Sequence, residues 1–499
     1  MLRHLVAALL VAPALSAQPP APLGDFDGAT DVGAARRAGS ATYDARRQEY
    51  VIAGSGANMW GTRDGFHFVW KRVTGDFILT TRARLLGRSA QPHRKLGWTV
   101  RSTLAADAPH VTAAVHGDGL AALQFRRAAA GETEERRSTV TGPDVVQLER
   151  RGGTFVMSVA RFGDTLTTER LDGVALGDTV YVGLFVTAHD SGAVERGAFR
   201  DVRVTIPARE GFVPYREYLG AALELLDVAS GDRTVVHRSP EALQAPNWTR
   251  DGRALIYNER GRMYRFDLAT RTPALIETGA VRSNNNDHVL SFDGRMLGLS
   301  SGVPAEGNGS FVFTVPVGGG TPTRVTPLGP SYLHGWSPDG RYLVYTAQRN
   351  GDFDIYRIPA AGGEEVRLTT APGLDDGPEY SPDGRWIYFN SVRGGGKMQL
   401  WRMRADGSAP EQLTDDGFNN WFPHVSPDGR WVVYIAFPPE VSPSDHPWYK
   451  RVTLRLMPAA GGPSRVIAYV YGGQGTINVP SWSPDSKRLA FVSNSAAPR

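Results

Sequence analysis

Three imidazoles and a carboxylate stand close to one point of a phrase that recurs along the second half of the chain. Counted back from the aspartate of each phrase, the fifth residue upstream is Pro246, His288, His334, Pro378, Pro423 or Pro480, and the fourth is Asn247, Val289, Gly335, Glu379, His424 or Ser481. Two histidines replace the usual proline, and an acid and a third imidazole follow. Just upstream lie Asn286 and Asp287, Asp375 and Asp376, Asn420 and Trp421, and Gln474 and Asn478. Neutral imidazoles with a carboxylate can bind a divalent metal, the carboxylate favouring Mn or Ca and the imidazoles Zn. A histidine beside an acid can equally act as a general base on a sugar. Asparagine, aspartate and glycine are also ordinary loop formers. That accounts for the asparagines and does not readily account for His288, His334, Glu379 and His424, the candidate catalytic residues.

A second set lies nearer the start of the chain in Trp60, Asp64, His67, Trp70 and Trp98. Aromatic faces stack on sugar rings and carboxylates accept hydroxyls, so Trp60 and Trp98 are candidate glycan contacts. Aromatics at alternating strand positions are more commonly core.

Several chemistries are excluded. The chain has no cysteine, so disulfides, thiolate metal sites and a cysteine nucleophile are absent. With 55 Lys and Arg against 51 Asp and Glu the net charge is +4, and no basic block interleaved with aromatics marks a nucleic-acid surface. No phosphate-binding or dinucleotide glycine loop opens a helix, and no G-x-S-x-G elbow sits between strand and helix.

The elements that must position these residues are read from the repeats. NWTRDGRALIY, VLSFDGRMLGLS, GWSPDGRYLVYTA, EYSPDGRWIYFNS, HVSPDGRWVVYIA and SWSPDSKRLAFVS place aspartates at 251, 293, 339, 383, 428 and 485, intervals of 42, 46, 44, 45 and 57. Such a period is one propeller blade. Each phrase predicts strand, tight turn and strand, with an outer hairpin following. The sixth phrase has no room for that hairpin, and Leu223 to His237 precede the first phrase with the pattern required. The last blade is therefore predicted to combine both chain ends, which closes the ring and pairs its open edges. Side chains at the start of the inner strands then converge on the mouth of the central channel.

These WSPDG-type repeats resemble the TolB-like (WD40-like PD40 repeat) propeller family over about residues 220–499. The resemblance implies a six-bladed propeller, a fold that hosts binding, scaffolding and catalysis alike. The small α/β domain that precedes the propeller in TolB has no counterpart here. In its place, Ala21 to Ala208 alternates apolar and polar residues between Gly, Asp and Asn turns, which predicts a β-sandwich. The order of its phrases, WGTRDGFHFVWKRVTGDFILTTRA, LGWTVRS and YVGLFVTAHDSG, resembles concanavalin-like, LamG-like jelly rolls attached to exported carbohydrate-active proteins. More distantly the propeller resembles oligogalacturonate lyases, whose metal site combines three His and one Gln. Gln474 occupies a comparable place, whereas Asn478 and Pro480 stand where that family places histidines.

Residues 1–17 read as a signal peptide: Arg3 and His4, the apolar run Leu5 to Leu15, and small Ser16 and Ala17. The expectation is an all-β chain, periplasmic or secreted, with a jelly roll over residues 21–208 and a propeller over 216–499. Two functions fit it. One is an envelope protein that binds a glycan or a protein partner, without a membrane span. The other is a lyase or hydrolase acting on an acidic or modified polysaccharide at the channel mouth.

Overall fold

The computed structural model describes residues 23–307 and 309–496. The expected signal peptide, residues 1–17, lies outside the described residues. Among those described, no helix is long and apolar enough to cross a membrane.

The N-terminal part folds into two seven-stranded antiparallel sheets. One orders Gly28–Val32, Phe66–Thr74, Thr179–Thr187, Lys95–Arg101, His110–His116, Ala121–Arg126 and Glu134–Arg137. The other orders Thr167–Leu171, Thr154–Ala160, Val145–Arg151, Phe77–Leu85, Asp190–Thr205, Glu49–Gly56 and Ser40–Asp44. Alternation makes the contact between them: Leu96, Trp98 and Val100 of the first sheet share one apolar core with Leu79, Val146, Leu148 and Met157 of the second. Each fully buried side chain of this kind contributes about 1.5–3 kcal/mol.

The C-terminal part is a six-bladed propeller. Five blades have four antiparallel strands each, the first being Leu243–Trp248, Ala254–Glu259, Arg262–Asp267 and Thr272–Ile276. In the sixth, Gly220–Asp227 pairs on one side with Arg233–Ser239 and on the other with Arg488–Ser495, so the two ends of the propeller close the ring. The phrase supplies its own turn. In every blade Thr249, Ser291, Ser337, Ser381, Ser426 or Ser483 donates its hydroxyl to the turn aspartate at 2.6 Å. The same hydroxyl accepts a backbone N–H five residues on. The residue after the aspartate is left-handed, a role filled by glycine in five blades and by Ser486 (φ 60°) in the sixth.

The second N-terminal sheet is tied to the last two blades. Gln48 exchanges two hydrogen bonds with the backbone of Val235, and Val466 N–H donates to Gly163 O at 2.9 Å. Glu224 of the sixth blade is buried between Arg203 (2.7 Å) and Arg233 (2.9 Å). Burial works against its charge, but the two guanidiniums hold its carboxyl far below the usual range.

Candidate functional site

The inner strands carry one irregularity at one repeat position. Their pairing with the second strand slips between Gln244 and Asn247, Asn284 and His288, Leu333 and Gly335, Asp376 and Glu379, and Trp421 and His424. In three blades the residue six before the turn aspartate is left-handed: Ala245 (53°), Gly377 (62°) and Phe422 (54°). A bulge takes a residue out of the ladder, so a proline that lacks an N–H is tolerated beside it. Pro246, Pro378 and Pro423 follow directly. The bulge divides the polar residues of the inner strands into two sets.

The set after the bulge joins neighbouring blades. Asn247 accepts from Leu290 N–H at 2.9 Å and donates to Pro480 O. Glu379 accepts from Val425 N–H at 3.0 Å with one oxygen and lies 2.6 Å from His424 Nδ1 with the other. His424 Nε2 faces Ile477 O, and Trp482 Nε1–H donates to His424 O at 2.9 Å. Both ring nitrogens of His424 and both oxygens of Glu379 are thereby occupied. Each of these polar atoms already has a partner inside the propeller.

The set before the bulge is different. His334 Nε2 lies 3.3 Å from Asp376 Oδ1, which also accepts from Thr346 Oγ1–H (2.6 Å) and Gly377 N–H (2.7 Å). His446 Nε2 is 3.9 Å from the other Asp376 oxygen, and its ring packs edge-on against Trp421 and Phe422. His334 stacks on Phe422 from the other side of the group, with centroids 5.8 Å apart. Asp287 is close enough to act on both His334 and Asp376, and its Oδ1 accepts from Asn286. Burial, reinforced by the Asp376 charge, raises the Asp287 carboxyl to about 7. Burial opposes ionisation of Asp376 too, yet the bond and charge of His334 carry it down to about 2. His334 resists burial through Asp376 and Asp287 and is raised above the ordinary imidazole range. The Nδ1 atoms of His334 and His446 are buried with no well-formed hydrogen bond among the described residues, and His334 also lies against the Asn478 backbone.

Amides frame this set: Gln474 donates to Asn286 (3.0 Å), Asn478 donates to Gln474 (3.0 Å), and Gly475 N–H donates to Asn478 (2.7 Å). Above it, Tyr215 and Tyr218 pack edge-on against Trp448, with centroids 6.2 and 5.8 Å apart. Asp287 influences the phenols of Tyr215 and Tyr332, which places both rings at the mouth.

The four residues expected to act together are thus distributed over three environments. His288 is fully buried against the first blade, with Nε2 3.4 Å from Ile256 O, and burial lowers it to about 4. Glu379 and His424 are the inter-blade pair, and His334 alone belongs to the mouth. None is exposed. Among the described residues no group of three or more His, Cys, Asp or Glu is placed to hold a metal ion. Asp375 turns away toward Arg393 (2.5 Å), and Asn420 turns into its blade toward Gln399, Thr414 and Asp416. Trp421 is buried under His446. Trp98 is at 0 % exposure inside the sandwiched core, so it offers no face to a glycan, while Trp60 is 43 % exposed. Asp64 is not a free acceptor, being buried between Arg101 (2.7 Å) and Arg126 (2.8 Å).

His446 was outside the reach of repeat register. It sits between Trp431–Phe437 and Lys450–Pro458, in a segment that lengthens the fifth blade. The one signal was the interval of 57 between Asp428 and Asp485.

Comparison with known proteins places the propeller. The family described as "TolB beta propeller domain" matches residues 334–440. An uncharacterized protein of Agrobacterium fabrum is 44% identical over 273 residues, 54% of this chain and 92% of its own length. The chain belongs to the TolB-like β-propeller family. A solved structure titled as a putative TolB from Agrobacterium tumefaciens agrees at 42% identity and a TM-score of 0.54, covering 56% of this chain and 100% of that one. The Tol-Pal system protein TolB of Francisella tularensis subsp. mediasiatica is 31% identical over 80 residues, 16% of this chain and only 18% of its own. The TolB-like likeness therefore describes the propeller and leaves the two N-terminal sheets outside it.

Proposed function

We propose that this TolB-like protein is exported to the cell envelope, periplasmic or secreted, and binds a glycan or a protein partner at the mouth of its propeller. The N-terminal sheets act in this reading as a concanavalin-like jelly roll over residues 21–208, carried beside the propeller of residues 216–499. The observation that carries the proposal is the set of Asp287, His334, Asp376 and His446, with two buried imidazole nitrogens still lacking partners under a rim of Tyr215, Tyr218 and Trp448. Buried polar groups are ordinarily satisfied, so unpaired ones converging on a concave place point to a ligand. The leader-like residues 1–17 and the name of the Francisella relative support the envelope setting.

Photo-crosslinking from position 215 in living cells tests this reading. A discrete adduct that disappears in His446→Ala supports it, and the absence of any adduct across growth conditions overturns it.

One observation favours a second reading. Asp287 and Asp376 have carboxyls moved in opposite directions, to about 7 and about 2, and such a divided pair suits acid–base chemistry. A polysaccharide-depolymerisation screen of the purified protein, with and without EDTA, distinguishes a lyase or hydrolase from a binding protein.

A further inference from the structure

The second N-terminal sheet and the fifth blade enclose a cleft of 740 Å³ that is separate from the channel mouth. Small-ligand sites are commonly clefts of about 300–1,000 Å³ at junctions between folding units. We infer that this cleft binds a neutral, hydroxyl-rich oligosaccharide.

The floor is a polar row running straight across the sheet. Register places Thr168 opposite Ser158, Ser158 opposite Gln147, Gln147 opposite Thr80, and Thr80 opposite Arg203. Leu148 and Val146, the strand neighbours of Gln147, point the other way into the core. The row therefore faces the cleft, and Thr168, Ser158, Gln147 and Thr80 all line it. Sheet faces that bury themselves against another unit are usually apolar, so a continuous row of hydroxyls and an amide needs a partner that hydrogen-bonds.

The charges that line the cleft are held in ion pairs, four guanidiniums sharing two carboxylates. Arg203 and Arg233 are spent on Glu224. Glu149 lies 2.7 Å from Arg151 on its own sheet and 2.7 Å from Arg451 on the opposite wall. The remaining charged side chains of the lining, Lys450, Glu440 and Asp445, are exposed at the rim. The row itself, Thr168, Ser158, Gln147 and Thr80, is neutral and able to donate and accept. Gln147 adds a specific need: it is 6 % exposed, and its side-chain oxygen is buried with no donor among the described residues. An unsatisfied buried amide oxygen is unfavourable, and a ligand hydroxyl would complete it.

Two tyrosines close the opposite wall. Tyr469 donates its hydroxyl to Asp164 O at 2.5 Å, and Tyr471 accepts from Ala208 N–H at 2.9 Å. Their rings, 7 % and 8 % exposed, pack into the seam, Tyr469 against Val145 and Ala160 and Tyr471 in the cluster of Ile78 and Leu219, so recognition falls to the polar row. This site stands independently of what binds at the mouth.

The test is isothermal titration of the full chain with maltohexaose, cellohexaose, laminarihexaose and xylohexaose, alongside hexagalacturonate. At least one neutral hexaose is expected to bind, and Gln147→Leu is expected to weaken it at least tenfold. Because a change at buried Gln147 can disturb folding, Thr168→Arg at the exposed end of the row provides a second, blocking variant with the same expected loss. The inference is overturned if no neutral hexaose binds at millimolar concentration, if hexagalacturonate binds more tightly, or if neither variant changes the affinity.

Discussion

Two polar sets lie one bulge apart at the inner strands, the upper one completed by His446 from the segment after Trp431–Phe437, and they use the same residue types in opposite ways. Below the bulge, Asn247, Glu379 and His424 spend every polar atom on the backbone or side chains of the adjacent blade. Above it, His334 and His446 each keep a buried ring nitrogen unpaired, and Asp287 sits beside two other titratable groups. Burial does not separate the inner-strand members, because Asp287, His334 and Asp376 are buried as Asn247, Glu379 and His424 are. What separates them is whether the polar atoms are already satisfied. A histidine with both ring nitrogens engaged is a joint; one whose free nitrogen lies at the mouth can meet a ligand, whereas His288, whose Nδ1 is also unpaired, lies against the first blade.

The comparison breaks most visibly at Glu379. Glu379→Ala would leave the Val425 N–H and one nitrogen of His424 without acceptors between two blades. Removing one partner of a buried pair costs about 3–5 kcal/mol. A urea denaturation midpoint is expected to fall accordingly, and an unchanged midpoint would show that the lower set is not structural.

Asp287→Asn sharpens the other side through pH. The folded carboxyl titrates near 7 against an ordinary 3.8, so the folded state holds this proton more tightly than the unfolded chain. Stability from this group is full below about pH 4 and declines as pH rises through about 7. The variant has nothing to ionise and is expected to remove that decline between about pH 4 and 7, gaining about 2–4 kcal/mol over wild type at pH 8.5. Asp376 works in the reverse direction: with its carboxyl at about 2, its contribution is present above about pH 4 and lost as the pH falls toward 2. A stability profile in which Asp287→Asn keeps the wild-type slope between about pH 4 and 7 would remove Asp287 from the mouth set.

A smaller effect is expected at Asn247. Asn247→Ala unpairs Leu290 N–H and Pro480 O, a loss of about 1–3 kcal/mol. Asn247→Asp should recover only part of it, because the aspartate can accept from Leu290 and cannot donate to Pro480.

Much of this architecture was legible from periodicity, because the turn is local. A serine or threonine, an aspartate two residues later and a left-handed residue after that close the same hairpin six times, and the pattern needs nothing from elsewhere in the chain. Closure by Leu223 to His237 was legible for a related reason, since an unpaired edge must find a strand. The site was legible only in part. Repeat register put His334 and Asp376 on neighbouring inner strands, where they meet. It could not show that a bulge lies between Asp376 and Glu379, and that slip of pairing sends Glu379 and His424 to a different level of the channel. His288 fits the register of His334 but turns toward Ile256 instead. Trp98 failed for another reason: alternation assigns a face without saying which face is covered, and its face is the core. The cleft beside the fifth blade depends on how the sheet and the blade meet, which no local pattern encodes.

His446→Ala gives the smallest expected change in stability and the sharpest test of the comparison. The ring is about a quarter exposed at its side chain, makes no short hydrogen bond, and contacts Asp376 only at 3.9 Å. Its loss removes edge-on packing against Trp421 and Phe422, with centroids 4.5 and 5.1 Å away, and a midpoint shift of about 1 kcal/mol or less is expected. Binding at the mouth should respond out of proportion to that shift, because the ring offers a free Nδ1 and covers the aromatic floor. Measured side by side, Glu379→Ala should lower stability strongly while a folded fraction retains affinity, and His446→Ala should retain stability and lose affinity. The opposite assignment would mean that the lower set, despite its filled hydrogen bonds, opens to take the ligand. In that case Glu379→Ala would abolish binding at temperatures where the protein remains folded, and His446→Ala would bind as wild type does.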